Sequence, residues 1–141
     1  MYIQRHMETA VKRYAAMFGA VLVTGSRQVG KTTLLKNVTD CTYVSLDDPI
    51  LLQSALNEGG TFFKDWPPPV FVDEIQYAPG LFPYIKIILD REPKKGQFFL
   101  SGSQQFNMMK NVSESLAGRI GILHLAGLSL RERGSVQFNQ P

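Results

Sequence analysis

The sequence predicts an α/β fold with three layers, α/β/α, in which helices cover both faces of a parallel five-stranded sheet. Five short β-rich runs alternate with helix-like segments along the chain, and no segment is repeated. Alternation of this kind implies right-handed crossovers, which place helices on both faces of a parallel sheet. The first connection from strand to helix is a glycine loop that ends in lysine. The 141 residues fit one domain, 1–141, large enough to bury a core.

The N-terminal half predicts two strands and three helices. Residues 19–24 and 42–46 are the β-rich runs, and residues 33–38 and 49–57 can form helices. Asp47 and Asp48 look like catalytic carboxylates, but a helix N-terminus also favours acids, so we interpret them as a cap. In segment 2–17, apolar residues recur at spacings of three and four and share one helical face: Ile3, Met7, Ala10, Val11, Tyr14 and Met17.

The C-terminal half predicts three strands, with helices between them. Gly59-Gly60 is expected to break a helix, Trp66 to Pro69 to be an extended connector, and Ser101 to Gln104 to follow a strand as a turn. The expected strands are 70–72, 97–100 and 120–125, and the expected helices are 81–89 and 113–117.

Composition indicates a globular chain that works in a reducing compartment. Hydrophobic residues make up 44% and charged residues 19% of the chain. The sequence contains no apolar run of about 18 residues, as a membrane span needs, and no secretory signal at its start. The single cysteine, Cys41, cannot form an internal disulfide. We therefore expect a cytoplasmic protein that is not embedded in a membrane.

The charge distribution gives only a weak indication of nucleic acid binding. The net charge is +3, and the basic residues are scattered apart from Lys94-Lys95 and the late pair Arg131 and Arg133. A solvated surface explains this distribution better.

Residues 24–32, Thr-Gly-Ser-Arg-Gln-Val-Gly-Lys-Thr, carry the strongest functional signal, the phosphate-binding pattern known as Walker A. In this pattern backbone N–H groups and the positive end of the next helix form an anion cradle. Lys31 can lie across the β- and γ-phosphates, and the Thr32 hydroxyl is a suitable ligand for Mg²⁺. The predicted nucleotide-binding residues are Gly25, Ser26, Arg27, Gln28, Val29, Gly30, Lys31, Thr32 and Thr33.

A second pattern, of the Walker B type, is an apolar strand that ends in two acids, Asp73 and Glu74. Strand ends at the carboxyl edge of a parallel sheet line the ligand crevice, so these acids can meet the phosphate loop. Asp73 is the predicted Mg²⁺ partner together with Thr32, either directly or through a water. Glu74 is placed to orient or deprotonate a water for in-line attack on the γ-phosphate.

With both patterns in this order, the chain resembles the AAA+ ATPases with an additional strand and a catalytic glutamate. It is most similar to the prokaryotic AAA-type ATP-binding family whose members carry a C-terminal DUF4143 domain. Besides the first pattern, the matching segments are Ser-Leu-Asp-Asp-Pro (45–49), Val-Asp-Glu-Ile-Gln (72–76), Leu-Ser-Gly-Ser-Gln (100–104) and Glu-Ser-Leu-Ala-Gly-Arg (114–119).

The resemblance implies a P-loop NTPase fold with sheet order 5-1-4-3-2, ATP with Mg²⁺, and a second domain. That second domain would begin where this sequence ends, at Pro141, so the expectation is either a fragment or a member that works through partners. Assembly with copies of itself or with a partner protein is a further expectation. No Asn/Thr-Lys-x-Asp signature for guanine is present, and the choice of ATP over GTP rests on the resemblance.

The resemblance also suggests a sensor of the γ-phosphate and an arginine that reaches phosphate. Ser101 and Ser103 match the sensor position, with an ordinary turn as the alternative and no choice between the two serines. Arg119 matches the arginine position, on its own or a neighbour's nucleotide, with a surface ion pair as the alternative. Arg27 is a second candidate arginine.

Three functions compete at this point. The first is Mg-dependent ATP hydrolysis that drives a partner, with Glu74 as the base, and the second is a nucleotide-dependent switch with little turnover. The third, a small phosphotransferase, needs an arginine-rich lid, for which only Arg131 and Arg133 are available. His6 and His124 have no companions at metal-ligand spacing, so we interpret both as structural, and Cys41 as a core residue.

Overall fold

Six α-helices and five strands alternate in the part of the chain that the computed structural model describes, residues 2–25, 30–103 and 106–125. The strands are β1 (Ala20–Thr24), β2 (Thr42–Ser45), β3 (Val70–Asp73), β4 (Phe98–Gly102) and β5 (Ile120–His124). The helices are α1 (Tyr2–Met17), α2 (Lys31–Val38), α3 (Pro49–Asn57), α4 (Gly59–Asp65), α5 (Phe82–Arg91) and α6 (Phe106–Leu116). Two short 3-10 turns, Ile75–Tyr77 and Pro79–Leu81, connect β3 to α5.

The five strands form one parallel sheet in the order β2-β3-β4-β1-β5. Counted from the other edge, this is the order 5-1-4-3-2, so the predicted fold class and strand order are confirmed. β4 lies between β1 and β3, although it follows both in the chain. The carboxyl ends of β1, β4 and β3 therefore meet side by side at one edge of the sheet, where ligands bind in folds of this kind.

Alternate residues of the strands enter two separate cores. Ala20 and Leu22 of β1 face a cluster built with α3, α4, α5 and α6, and Val21 and Val23 face a cluster built with α1 and α2. This division follows from the period of two in a strand, whose neighbouring side chains point to opposite faces. Helices on both faces give the three predicted layers. In the described part of the chain, none of the helices has the length and apolar character to traverse a bilayer.

Two local predictions were wrong, and a third was incomplete. The helix before Gly59-Gly60 ends at Asn57, as predicted, but the two glycines begin a further helix, α4. The last helix runs over Phe106–Leu116 instead of 113–117, because Met108, Val112 and Leu116, spaced by four, are buried on one face. Strand β4 extends to Gly102, so Ser101 is part of the strand. The predicted cap is confirmed, since the Asp48 carboxylate accepts a hydrogen bond from the Ile50 N–H.

Candidate functional site

The loop between β1 and α2 is bracketed by two glycines in a conformation that other residues rarely adopt. Gly25 has a φ of 152° and Gly30 a φ of 86°. The predicted loop residues Ser26, Arg27, Gln28 and Val29 lie outside the described residues. Helix α2 begins at Lys31, directly after Gly30, so the positive end of the helix lies at this side of the sheet.

Of the three side chains that follow the loop, one is buried, one is partly buried and one is exposed. Lys31 is buried, with 3% of its surface exposed, whereas Thr33 is exposed. The Thr32 hydroxyl donates to Asp73 Oδ2 at 3.0 Å, across 41 residues of sequence. The two predicted metal-binding residues thus meet at the carboxyl edge of the sheet.

The Asp73 carboxylate is the centre of the site. Its Oδ2 accepts hydrogen bonds from the hydroxyls of Thr32 and Tyr43, at 3.0 and 2.7 Å, and its Oδ1 accepts one from the Ser101 hydroxyl. Asp73 is only 4% exposed. Three hydroxyl donors fix the orientation of this carboxylate at the edge of the sheet.

The backbone changes direction at Glu74, directly after β3. Its φ of 61° is the only positive value among the described residues other than glycine. Its N–H donates to Ser101 Oγ at 3.2 Å, and its Oε1 accepts from Gln76 Nε2 at 2.7 Å. Gln76 Oε1 in turn accepts from the Ser103 N–H at 3.2 Å. The side chain of Gln76 therefore links Glu74, the predicted base, to Ser103, which follows β4.

Gly102 allows Gln76 to take this position. A Cβ at residue 102 would lie 2.8 Å from Gln76 Oε1, so Gly102→Ala must displace the amide and weaken its bond to Glu74. We expect Gly102→Ala to lower the free energy of unfolding by about 1–3 kcal/mol, measured by urea denaturation.

The matched control for this change is Gly80→Ala. No heavy atom lies within 4 Å of a Cβ at residue 80, so its effect is expected to stay within about 0.5 kcal/mol. Equal stabilities of the two variants would contradict the close contact at Gly102.

The two candidate sensor serines differ in their hydrogen bonding. The Ser101 hydroxyl donates to Asp73 and accepts from the Glu74 N–H, so it holds the acid pair in place. Ser103 Oγ is buried and has no hydrogen-bond partner among the described residues. Buried hydroxyls are nearly always paired, so this atom has capacity for a hydrogen bond with a group outside the described residues.

Arg119 is not brought to this cluster. It precedes β5, and its carbonyl accepts from the N–H of Ala20 at 3.2 Å, at the start of β1. The phosphate loop follows the other end of β1, about 15 Å away at a rise of about 3.3 Å per residue. Its guanidinium is bound to Asp90, with Nε to Oδ1 at 2.7 Å, and this hydrogen bond lowers the pKa of that carboxyl. At this position Arg119 is too far from the phosphate loop of its own chain to contact phosphate there. Its pairing with Asp90 matches the alternative, a surface ion pair.

The remaining candidates have structural positions. His124 Nδ1 is hydrogen-bonded to Thr24 Oγ1 at 2.9 Å, and Cys41 is half-buried against the α1/α2 core, where burial raises its pKa. Across residues 2–25, 30–103 and 106–125, no three His, Cys, Asp or Glu side chains group as a metal site. Arg131 and Arg133 lie outside the described residues.

Sequence reasoning did not identify the roles of Tyr43 and Gln76. Gln76 belongs to the matching segment 72–76, but no role was predicted for it. Tyr43 was predicted only as a residue of the strand 42–46. Burial, followed by the hydrogen bond to Asp73, raises the pKa of Tyr43 to about 12, so its hydroxyl remains a donor well above neutral pH. Tyr43 is indicated only by the strand register, which the sequence does not give, because it pairs with Phe71, two positions before Asp73 on the same face.

The residues present fit a nucleotide triphosphate with Mg²⁺. Thr32 and Asp73 offer the hard oxygen ligands that Mg²⁺ prefers, few in number as is usual when phosphates and waters complete the shell. The glycine conformations, the start of α2 and the buried Lys31 provide the anion side of the site.

Comparison with known proteins gives a family and relatives. A family profile described as an AAA domain matches residues 18–134. Two mycobacterial proteins, Uncharacterized protein Rv2008c of Mycobacterium tuberculosis and Uncharacterized protein Mb2031c of Mycobacterium bovis, are each 34% identical over 148 residues. The matched region covers 96% of this chain and 31% of each relative, so the chain spans about a third of their length.

Two solved structures share the fold. A crystal structure of a DNA replication initiation factor has a TM-score of 0.53 at 15% identity and covers 97% of this chain and 50% of the other. The ADP form of the Aeropyrum pernix ORC2 protein has a TM-score of 0.50 at 16% identity and covers 96% of this chain and 51% of the other. At this level of identity the likeness concerns the fold alone.

Proposed function

Because the chain belongs to the AAA domain family, we propose that it binds ATP with Mg²⁺ and hydrolyses it. The observation that carries this proposal is the meeting of Thr32 and Asp73, at 3.0 Å, beside the glycine-bracketed loop. An ordinary glycine turn would not require a buried lysine, a hydroxyl and a buried acid at the same strand edge.

In the proposed complex, residues 25–33 hold the triphosphate. The N–H groups at the start of α2 and the Lys31 ammonium stabilise the negative charge of the β- and γ-phosphates. Thr32 and Asp73 would hold Mg²⁺, which neutralises charge on the phosphates when bound. The ADP form among the solved structures with this fold agrees with an adenine nucleotide in such a site.

Glu74 acts on the attacking water. Its carboxylate orients the water and accepts a proton as the water oxygen forms a bond to the γ-phosphorus and the bond to the ADP oxygen breaks. Ser101 supports this arrangement by holding both Asp73 and the Glu74 backbone. Ser103, whose hydroxyl has no described partner, is the better candidate for contact with the γ-phosphate or the water.

A switch with little turnover is the second candidate, and one contact favours it. Gln76 donates to Glu74 Oε1 at 2.7 Å, so one oxygen of the proposed base is already engaged. In this case ATP binding changes the surface offered to a partner, and hydrolysis is slow until Gln76 moves. Tight Mg-ATP binding without phosphate release by the isolated chain would favour this candidate.

The cycle is proposed to act on a partner. A DUF4143 domain within a longer protein, a second copy of the chain and another protein are the alternatives. An oligomer would allow Arg119 to act on a neighbour's nucleotide, which stays a prediction. The replication initiation factor among the similar folds adds a weak reason to test nucleic acid as well.

The first test is nucleotide binding by the wild-type chain and by Lys31→Ala, measured with a fluorescent ATP analogue. We expect the change to weaken Mg-ATP binding by about tenfold or more, because a buried charge pairs with phosphate oxygens. The control is Lys110→Ala, at an exposed position of α6, which should bind like the wild type. Equal affinities of Lys31→Ala and Lys110→Ala would exclude the proposed site.

A further inference from the structure

Tyr43 reaches Asp73 from the neighbouring edge strand. It pairs with Phe71 in the register of β2 and β3, and Asp73 follows Phe71 by two residues on the same face. Two residues of a strand span about 6.6 Å, which is close to the length of a tyrosine side chain. The phenol therefore extends along the sheet, and its hydroxyl donates to Asp73 Oδ2 at 2.7 Å.

The ring of Tyr43 is held on two sides. It makes an edge-to-face contact with Phe71, with ring centroids 5.1 Å apart at 63°. From α2, the Lys36 ammonium lies 4.0 Å from the ring centroid, a cation–π contact. Both contacts involve the ring and not the hydroxyl, so they fix the direction in which the hydroxyl points.

The Tyr43 hydroxyl and the Thr32 hydroxyl donate to the same oxygen of Asp73. Thr32 and Tyr43 both donate to Oδ2 of Asp73, while Ser101 donates to Oδ1. Ser101 orients the carboxylate from the side of β4, and Tyr43 orients it from the side of β2. Without Tyr43, the oxygen that faces Thr32 would lose the shorter of its two hydrogen bonds.

We propose that Tyr43 is a positioning residue of the magnesium site, which holds the Asp73 carboxylate toward Thr32 and thereby raises the affinity for Mg²⁺. The inference rests on the proposed function, since it concerns the same site. Groups that hydrogen-bond to metal ligands typically change metal affinity by about 10- to 100-fold when removed. The Tyr43 hydroxyl acts through Asp73, so we expect its effect in the metal-dependent part of binding.

The test is Tyr43→Phe in the full chain, because phenylalanine keeps the ring contacts to Phe71 and Lys36 and removes only the hydroxyl. Binding of a fluorescent, non-hydrolysable ATP analogue is measured against Mg²⁺ concentration and, separately, in EDTA. We expect the Mg²⁺ concentration for half-maximal binding to rise by about tenfold, and the affinity in EDTA to stay within about twofold.

Tyr84→Phe is the matched control. Tyr84 is 39% exposed and Tyr43 36%, and Tyr84 lies on α5, away from the site. Tyr84→Phe should leave both measurements unchanged. A second comparison is made in the Asp73→Asn background, where Tyr43→Phe should add no further rise, because its action passes through the carboxylate.

The outcomes separate this inference from the proposed function. No Mg²⁺-dependent binding by the wild type would overturn both. Mg²⁺-dependent binding that is the same in the wild type and Tyr43→Phe would overturn the role of Tyr43 alone. Equal weakening with Mg²⁺ and in EDTA would also overturn it, since the loss would then be a general effect on the fold.

Discussion

Glu74→Gln is expected to slow phosphate release by about 100-fold or more and to leave Mg-ATP affinity within about threefold. Glutamine has the size of glutamate, but it cannot accept a proton from water at neutral pH. The phosphate loop and the Thr32–Asp73 pair are unchanged, so binding should persist. The measurement is release of inorganic phosphate at saturating ATP, with affinity measured separately on the same preparation.

Glu92→Gln is the control for this prediction, because Glu92 is exposed and follows α5. Its rate should equal that of the wild type. Equal rates for the wild type and Glu74→Gln would remove Glu74 from its proposed role as the base. A wild type that binds Mg-ATP and releases no phosphate would instead support the switch, with Gln76 holding the carboxylate.

Phe98→Ala is expected to lower the free energy of unfolding by about 3–5 kcal/mol. Phe98 is fully buried at the start of the central strand β4, where it pairs with Ala20 of β1 and Val70 of β3. Its ring packs edge-to-face on Phe63 of α4, with centroids 5.2 Å apart. Removal of the ring leaves a cavity between the sheet and a helix, and a loss of this size is a large part of a domain's total stability.

Chemical denaturation of Phe98→Ala and Ile50→Ala measures this effect. Ile50 is 80% exposed on α3, so its truncation should change the stability by no more than about 0.5 kcal/mol. A loss below about 1 kcal/mol for Phe98→Ala would contradict the packing of the sheet against α4.

The sequence was sufficient for the elements whose signal is local. The strand before the loop, the glycines at 25 and 30 and the strand that ends in Asp73 each have a physical requirement that is visible in neighbouring residues. The sheet order followed from the family resemblance rather than from these patterns. Gly59-Gly60 marked the end of α3 correctly, but the weak helix propensity of glycine gave no sign that the two residues begin α4. A Cβ at residue 59 would lie 3.0 Å from the Tyr84 ring, so the close approach of that ring suits a glycine.

The contacts within the site could not be read from the chain. Tyr43 and Asp73 are separated by 30 residues, and Gln76 and Ser103 by 27, so only the strand order brings them together. Arg119 shows the opposite case, since a matching motif suggested contact with phosphate, on its own or a neighbour's nucleotide, whereas within this chain it lies before β5 and pairs with Asp90. Motifs specify chemistry, but the direction of a strand decides which end of the sheet a side chain reaches.

The backbone of Glu74 has a consequence for how this chain can change. A residue other than glycine in the left-handed region raises the energy of the folded state by about 1–2 kcal/mol, and glycine or asparagine there would relieve it. Selection for heat resistance alone would thus favour loss of the carboxylate at this position. A glutamate at this position therefore lowers the stability of the fold, a cost that is in keeping with the role proposed for its carboxylate.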